Sequence, residues 1–182
     1  MVGRLWGLIF AGLIPLLFVG CATEQPMLTR SANFAPPPLG EPIYVVPFTT
    51  VMVPRDLEEG IFDRLVDQLN LDLNVEGSGY EFIIVKRPLD EAGRNWLAER
   101  PYVTGELFGF VRDSGCCSTE LRLRTRLLYF QPRTSAPALI LDYPRLVLFD
   151  HDKSTLEIEQ ERLIADTVQT LAQRLEATLL NR

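Results

Sequence analysis

The chain has 182 residues, of which 47% are hydrophobic and 23% are charged. This length predicts one folded domain with short appendages, and this composition excludes a disordered chain and a multi-span membrane protein. The formal net charge of −6 argues against nucleic acid as a partner, because phosphate backbones are bound by an excess of Lys and Arg. The single histidine makes His-based metal sites and Ser-His or Cys-His catalysis poor candidates.

The first residues have the pattern of a bacterial lipoprotein signal peptide. Arg4 supplies positive charge, and residues 5–18 form an almost purely apolar run, shorter than the about 20 residues that a spanning helix needs. Residues 18–21, Phe-Val-Gly-Cys, resemble a lipobox, although lipoboxes usually begin with Leu. The resemblance implies a signal peptide over residues 1–20 and a lipid on Cys21, the first residue of the mature chain.

A lipid on Cys21 would fix the protein to a membrane, because two or more acyl chains give stable anchoring. Sorted lipoproteins often carry Asp at the next position as an inner-membrane retention signal, and this chain has Ala22. By that resemblance we expect the outer membrane, with the folded part facing the periplasm. The alternatives are a plain secretory signal, or an uncleaved anchor in which Cys21 is incidental.

The mature chain divides into a tether and one domain. Residues 21–42, the lipidated cysteine and a stretch rich in Pro and polar residues, predict a semi-extended spacer that lets the domain stand off the membrane or pack along a partner. Residues 43–182 are enough for one sizeable core and form the predicted periplasmic domain.

The domain begins with the patterns of a strand and a helix. Residues 43–48 are a β-branched and aromatic run, which predicts a buried strand. Asp56 and Glu59 have the spacing of a capping box at a helix start, and apolar residues then recur at every fourth position. The expected inward stripe of this helix is Leu57, Ile61, Leu65 and Leu69, widened by Phe62 and Val66.

Two short elements follow a break at residues 77–79. Residues 82–85 predict a second strand, bounded by glycine-rich and polar residues. Residues 90–99 predict a short helix, in which Trp96 and Leu97 are expected to be the buried anchors.

Two long alternating segments then predict an antiparallel pair. They are residues 102–112 and residues 119–130, and residues 113–118 are expected to be the hairpin loop between them. Gly105 and Gly109 are expected at bends or at close approaches of the backbone.

The last part of the chain predicts strand and then helix. Residues 139–143 and 145–149 predict another strand or strand pair around Pro144. Because Pro144 has no amide hydrogen for a sheet ladder, we expect an edge position or a bulge there. Residues 158–180 predict a long amphipathic helix. Its inward face is expected to consist of Ile164, Val168, Leu171, Leu175 and Leu179.

This order of elements predicts an α+β fold, a mixed and mostly antiparallel sheet with helices packed on it and a long C-terminal helix. Within that order, residues 44–48 (YVVPF), the strand that ends at residues 85–87 (VKR) and residues 102–107 (YVTGEL) resemble the CsgG/PelC/TolB N-terminal-like periplasmic domains. In that group an opening strand ending in Pro-Phe and a later apolar-x-Gly-x-apolar strand recur. Lipoproteins of curli secretion, of Pel polysaccharide secretion and of peptidoglycan-synthase activation belong to it.

The resemblance implies a non-enzymatic accessory lipoprotein without a cofactor, which docks on an envelope assembly or export machine, often as a ring of copies. Residues 49–55 are too short for a long membrane-inserting hairpin, so a self-made pore is not expected. The alternative is an auxiliary lipoprotein of an ABC-type lipid-trafficking system, which has a similar size, lipobox and α+β build. A cell-wall hydrolase is a third hypothesis.

Three arginines, Arg122, Arg124 and Arg126, are expected on one face of a strand, about 6.6–7 Å apart along it. Such a stripe fits an acidic partner, a lipid headgroup or an anionic polysaccharide. The favoured interpretation is a solvated face on which nearby acids such as Glu106 and Glu120 neutralise the guanidiniums.

Cys116 and Cys117 are consecutive, and a disulfide between them would be strained, because neighbouring Cα atoms are closer than disulfides usually span. A structural or incidental ring, free or intermolecularly paired thiols, and a redox or metal site all remain open. His151, flanked by Asp150 and Asp152, fits a turn better than a titrating or metal-binding site.

Overall fold

The fold comes from a computed structural model, which describes residues 25–76, 80–85 and 91–180. The predicted signal peptide, Cys21 and the break at residues 77–79 lie outside these residues. The described part of the chain forms seven strands and three helices. In chain order they are β1 (Met27–Arg30), β2 (Ile43–Val45), β3 (Thr49–Val51), α1 (Arg55–Glu76), β4 (Phe82–Ile84), α2 (Glu91–Ala98), β5 (Tyr102–Ser114), β6 (Ser118–Phe130), β7 (Leu139–Asp150) and α3 (Leu156–Leu180).

The strands form one mixed sheet in the order β1-β7-β6-β5-β2-β4, with β3 paired to the middle of β5. The long strands β5, β6 and β7 are antiparallel neighbours, and β1 pairs antiparallel with β7. The short strand β2 pairs in parallel with both β4 and β5, and β3 pairs in parallel with β5. The predicted α+β fold, with its mixed sheet and long C-terminal helix, is therefore confirmed.

Helices α1 and α3 pack together against one face of the sheet. On β6 the predicted alternation holds, because Leu121, Leu123 and Leu127 are buried under the helices while residues between them reach the opposite face. All four residues of the predicted α1 stripe and all five of the predicted α3 face are buried. The apolar periodicity of the sequence thus located most of the core correctly.

The start of α1 differs from the predicted capping box. The helix begins at Arg55, so Asp56 lies inside its first turn. There the negative charge of Asp56 interacts favourably with the positive end of the helix dipole. Glu59 binds the Arg55 guanidinium at 2.8 Å. The cap of α3 was not anticipated, and there the Thr155 hydroxyl accepts a hydrogen bond from the backbone N–H of Ile158 at 3.4 Å.

The spacer predicted over residues 21–42 is, in its described part, packed on the domain. Strand β1 pairs with the outer edge of β7, whose backbone groups at residues 139–142 would otherwise lack a ladder partner. Phe34 packs edge-on against Tyr129 at 6.1 Å, and the Tyr80 hydroxyl donates to the Pro37 carbonyl at 2.9 Å. Residues 27–37 are therefore held against the sheet and do not stand off it.

One further expectation, the burial of Trp96, needs correction, and one open alternative, at Pro144, is decided. Leu97 is buried as predicted, but Trp96 is 40% exposed. Its ring packs edge-on against Tyr44 and carries the Arg100 guanidinium 4.3 Å from its centre. Of the single strand or strand pair predicted around Pro144, the structure has one continuous strand, β7. Pro144 lies beyond the residues that β1 covers, which is the edge position expected for a residue without an amide hydrogen.

Both glycines of β5 have the roles that the sequence suggested. Gly109 has a positive φ of 65° at a register shift between Phe108 and Val111, so it forms a bulge. Gly105 faces the core, where a Cβ atom would lie 2.6 Å from ring carbons of Phe48. Phe48 is itself buried and packs against Phe62, so its ring has little room to move.

We predict that Gly105→Ala lowers the free energy of unfolding by about 1–3 kcal/mol, because the added methyl group overpacks the core against Phe48. Urea unfolding followed by circular dichroism measures this change. The matched control is Gly115→Ala in the same hairpin, where a Cβ atom would meet its nearest atom at 3.5 Å, and we expect a change within about 0.5 kcal/mol. Equal effects of the two substitutions would contradict the close packing at Gly105.

Candidate functional site

The sheet presents a second face, opposite to α1 and α3, which we call the outer face. It carries the residues of β5, β6 and β7 that alternate with the buried ones, and these are half-buried or exposed. Arg122, Arg124 and Arg126 all lie on it, as the alternation predicted. The predicted arginine stripe is therefore real, and its chemistry depends on the partner of each guanidinium.

Arg126 joins three strands through charge. Its Nε donates to Asp142 on β7 at 2.9 Å, and its Nη1 donates to Glu106 on β5 at 3.1 Å. The hydrogen bond to Asp142 is the largest cause of a raised pKa of Arg126, and the charge of Glu106 adds to it. Because Glu106, Arg126 and Asp142 are directly opposite one another across the sheet, this guanidinium is neutralised within the fold.

The other two arginines differ from Arg126. Arg122 pairs with Glu120, two residues earlier on the same strand, so both acids named from the sequence do neutralise members of the stripe. Arg124 forms no ion pair with a described residue, and its guanidinium lies 5.3 Å from the centre of the Phe108 ring. Arg124 is thus the member of the stripe whose charge is available to a partner.

Exposed apolar side chains surround these arginines on the outer face. Leu148 is 65% exposed, and Leu146 and Val111 are also exposed. In the described residues, the outer edge of β7 has no partner strand beyond residue 142. Guanidiniums among apolar side chains are typical of protein-binding surfaces. The sequence did not reveal this patch, because β7 is apolar at most positions of both faces.

The hairpin tip between β5 and β6 holds the two neighbouring cysteines. A hydrogen bond from the Gly115 N–H to the Ser118 carbonyl closes the tip at 2.9 Å, so the loop is shorter than predicted. Cys116 and Cys117 are exposed free thiols with their sulfur atoms 3.1 Å apart. The hydrogen bond between the two sulfurs is the main cause of a raised pKa of Cys117.

His151 lies in the turn after β7, as the sequence favoured. Its Nε2 is 2.8 Å from the Thr119 hydroxyl, and its backbone N–H donates to the Cys117 carbonyl at 2.9 Å. Lys153 binds Asp150 at 2.6 Å and thereby lowers the pKa of that carboxyl. No group of three or more His, Cys, Asp or Glu residues in the described ranges is arranged to hold a metal ion.

Within the described ranges, none of the helices is long and apolar enough to cross a membrane. No protein-family model matches the chain, and no curated protein matches it in sequence.

Solved structures show what the fold is similar to. A PelC dodecamer from Paraburkholderia phytofirmans is 16% identical, with 81% of this chain and 96% of that chain covered and a TM-score of 0.52. The hypothetical protein CT253 from Chlamydia trachomatis is 8% identical, with 78% and 99% covered and a TM-score of 0.52. Lipoprotein GNA1162 from Neisseria meningitidis is 10% identical, with 73% and 99% covered and a TM-score of 0.42. At these identities the likeness shows a PelC-like fold and nothing finer.

We predict that Arg126→Gln lowers the free energy of unfolding by about 1 kcal/mol, because Glu106 and Asp142 lose the charge between them. The loss should shrink as salt is added, since added ions screen partly exposed charges. Arg124→Gln is the matched control. Arg124 lies on the same strand face and over the same Phe108 ring but forms no ion pair with a described residue, so we expect a salt-independent change within about 0.5 kcal/mol. Urea unfolding at low and high salt measures both variants, and a salt-independent effect of Arg126→Gln would contradict the network.

Proposed function

We propose that the protein is a lipid-anchored, non-enzymatic accessory of an envelope assembly or export machine, held at the outer membrane through Cys21 and facing the periplasm. The observation that carries this proposal is the outer face, a large part of the sheet that combines exposed aliphatic side chains with the Arg124 guanidinium. Such a surface suits another protein as its partner, because burial of the apolar side chains supplies affinity and the arginine supplies orientation.

The non-enzymatic part of the proposal is supported by how the charged groups of the outer face are used. Glu106, Asp142 and Arg126 are engaged with one another across three strands, and Glu120 is engaged with Arg122. These carboxylates hold the sheet together, and an acid or base in catalysis needs a carboxyl that is ready to exchange its proton with substrate.

The partner that we propose first is a further copy of this chain. A PelC dodecamer has a similar fold, and the sheet offers two unlike edges for head-to-tail contact. One row across the sheet runs from Val51 on β3 through Phe108 and Arg124 to Pro144 at the free edge of β7. Unlike surfaces that meet head to tail generate a ring when the rotation between copies closes.

The end of β3 carries two exposed apolar residues that fit this role. Val51 is exposed, and the following Met52 is 90% exposed while its backbone has a φ of 57°, in the left-handed region. A non-glycine residue in that region is a strained feature that is common at binding sites. We propose that Val51 and Met52 of one copy pack on Leu146 and Leu148 of the next.

The experiment uses the protein extracted from membranes in detergent, with its intact mass first showing whether the leader is gone and Cys21 carries acyl chains. Light scattering during size exclusion should then give a ring-sized mass. Leu148→Glu should reduce that mass, because a carboxylate would be buried in the contact between copies.

The matched control is Leu71→Glu, since Leu71 is 62% exposed but lies on α1, away from the outer face. We expect this variant to keep the wild-type mass. A wild-type monomer would contradict the self-assembly and favour the alternative of an auxiliary in an ABC-type lipid-trafficking system. An assembly that both variants leave intact would contradict the assignment of the interface to β7.

A further inference from the structure

The tip of the β5–β6 hairpin carries two nucleophilic groups that the proposed binding surface does not use. Cys116 and Cys117 project from the closed end of the hairpin, and both side chains are exposed. Their sulfur atoms are 3.1 Å apart, which is close enough for one to attack a disulfide formed on the other. Exposure on both residues lets a second molecule reach either sulfur.

We propose that Cys116 and Cys117 are a dithiol–disulfide exchange site, whose reactant is the disulfide of a small molecule or of a protein. The inference rests on the hairpin tip and is independent of the proposed function. An extracytosolic location of the chain would supply such disulfides, because that compartment is oxidising.

The exchange has two steps that balance. One of the two thiols loses its proton, and the resulting thiolate attacks one sulfur of the external disulfide, so that a mixed disulfide forms and the other half leaves as a thiol with that proton. The second thiol then loses its proton, and its thiolate attacks the cysteine sulfur of the mixed disulfide and releases the second half as a thiol. The protein loses two protons and two electrons, and the external disulfide gains both.

The geometry lets either cysteine begin the exchange. Both side chains are exposed, and the attacking group in disulfide exchange is the thiolate. Because the sulfur atoms are 3.1 Å apart, the cysteine that has not reacted can resolve the mixed disulfide on its neighbour.

The same geometry makes the exchange reversible. Cα atoms of consecutive residues are at most about 3.8 Å apart, whereas disulfides usually span about 4.4–6.8 Å. The ring formed by Cys116 and Cys117 is consequently strained, and strained disulfides are readily reduced. The product is a labile redox state of the tip and does not act as a permanent cross-link.

One hydrogen bond connects the hairpin tip to the turn after β7, so the oxidation state of the cysteines can affect that turn. The Cys117 carbonyl accepts from the backbone N–H of His151, and the His151 ring contacts Thr119. Closing the ring reorients the backbone between the two cysteines, so we expect the amide signal of His151 to shift on oxidation.

The test treats the complete detergent-extracted protein with glutathione disulfide and maps residues 116 and 117 by mass spectrometry. In wild type we expect a loss of two hydrogens from this peptide, no retained glutathione, and reversal by dithiothreitol. The matched variants are Cys117→Ser and Cys116→Ser, and each should keep one glutathione on its remaining cysteine because the resolving thiol is gone. Both positions are exposed, so neither variant disturbs the core.

A second arm replaces glutathione disulfide with an oxidised dithiol oxidase of the thioredoxin fold. Trapping of that enzyme by Cys117→Ser identifies a protein disulfide as the reactant, and reaction with glutathione disulfide alone identifies a small molecule. Retention of glutathione by wild type, or a cross-link between the tips of two copies as the main product, would overturn the proposal. Oxidation without a shift of the His151 amide would overturn the coupling to the turn after β7.

Discussion

The packing of α3 on β6 and β7, with α1 packed on α3, is the interaction on which the rest of the structure depends. Burial of Leu121, Leu123 and Leu127 under these helices stabilises the domain and fixes which side of β6 faces inward. Because side chains alternate strictly along a strand, covering one face determines every residue on the other. The same burial that forms the core therefore places the arginine stripe, the exposed leucines and the free edge of β7 on one surface.

The outer face is held together by charge, whereas the inner face is held together by apolar burial. Arg126 connects β5, β6 and β7 through Glu106 and Asp142. Arg124, on the same strand, lacks an acid among the described residues and rests on Phe108. Two arginines of one stripe thus differ in role, because only one of them lies opposite acids on both neighbouring strands.

Local periodicity in the sequence was sufficient to predict the strand alternation of β6 and the buried faces of α1 and α3. These features depend on residues near one another in the chain. A bend or close approach at Gly105 was expected from the residue type, whereas the neighbour that approaches it, Phe48, lies in a distant part of the chain. The pairing of β1 with β7 could not be predicted, because it joins residues more than a hundred positions apart and residues 27–30 are polar or exposed on both sides. Trp96 was misplaced for a related reason, since its contact with Tyr44 depends on where two distant elements meet.

The central claim is that the outer face meets another protein in the envelope, and photo-crosslinking in cells tests it most directly. A photoreactive amino acid at position 148 of the full chain should capture a neighbouring protein, whether a copy of this chain or another envelope protein. The same group at position 71, equally exposed on the helical side, should capture far less. Capture at position 71 equal to or above that at position 148 would contradict the account.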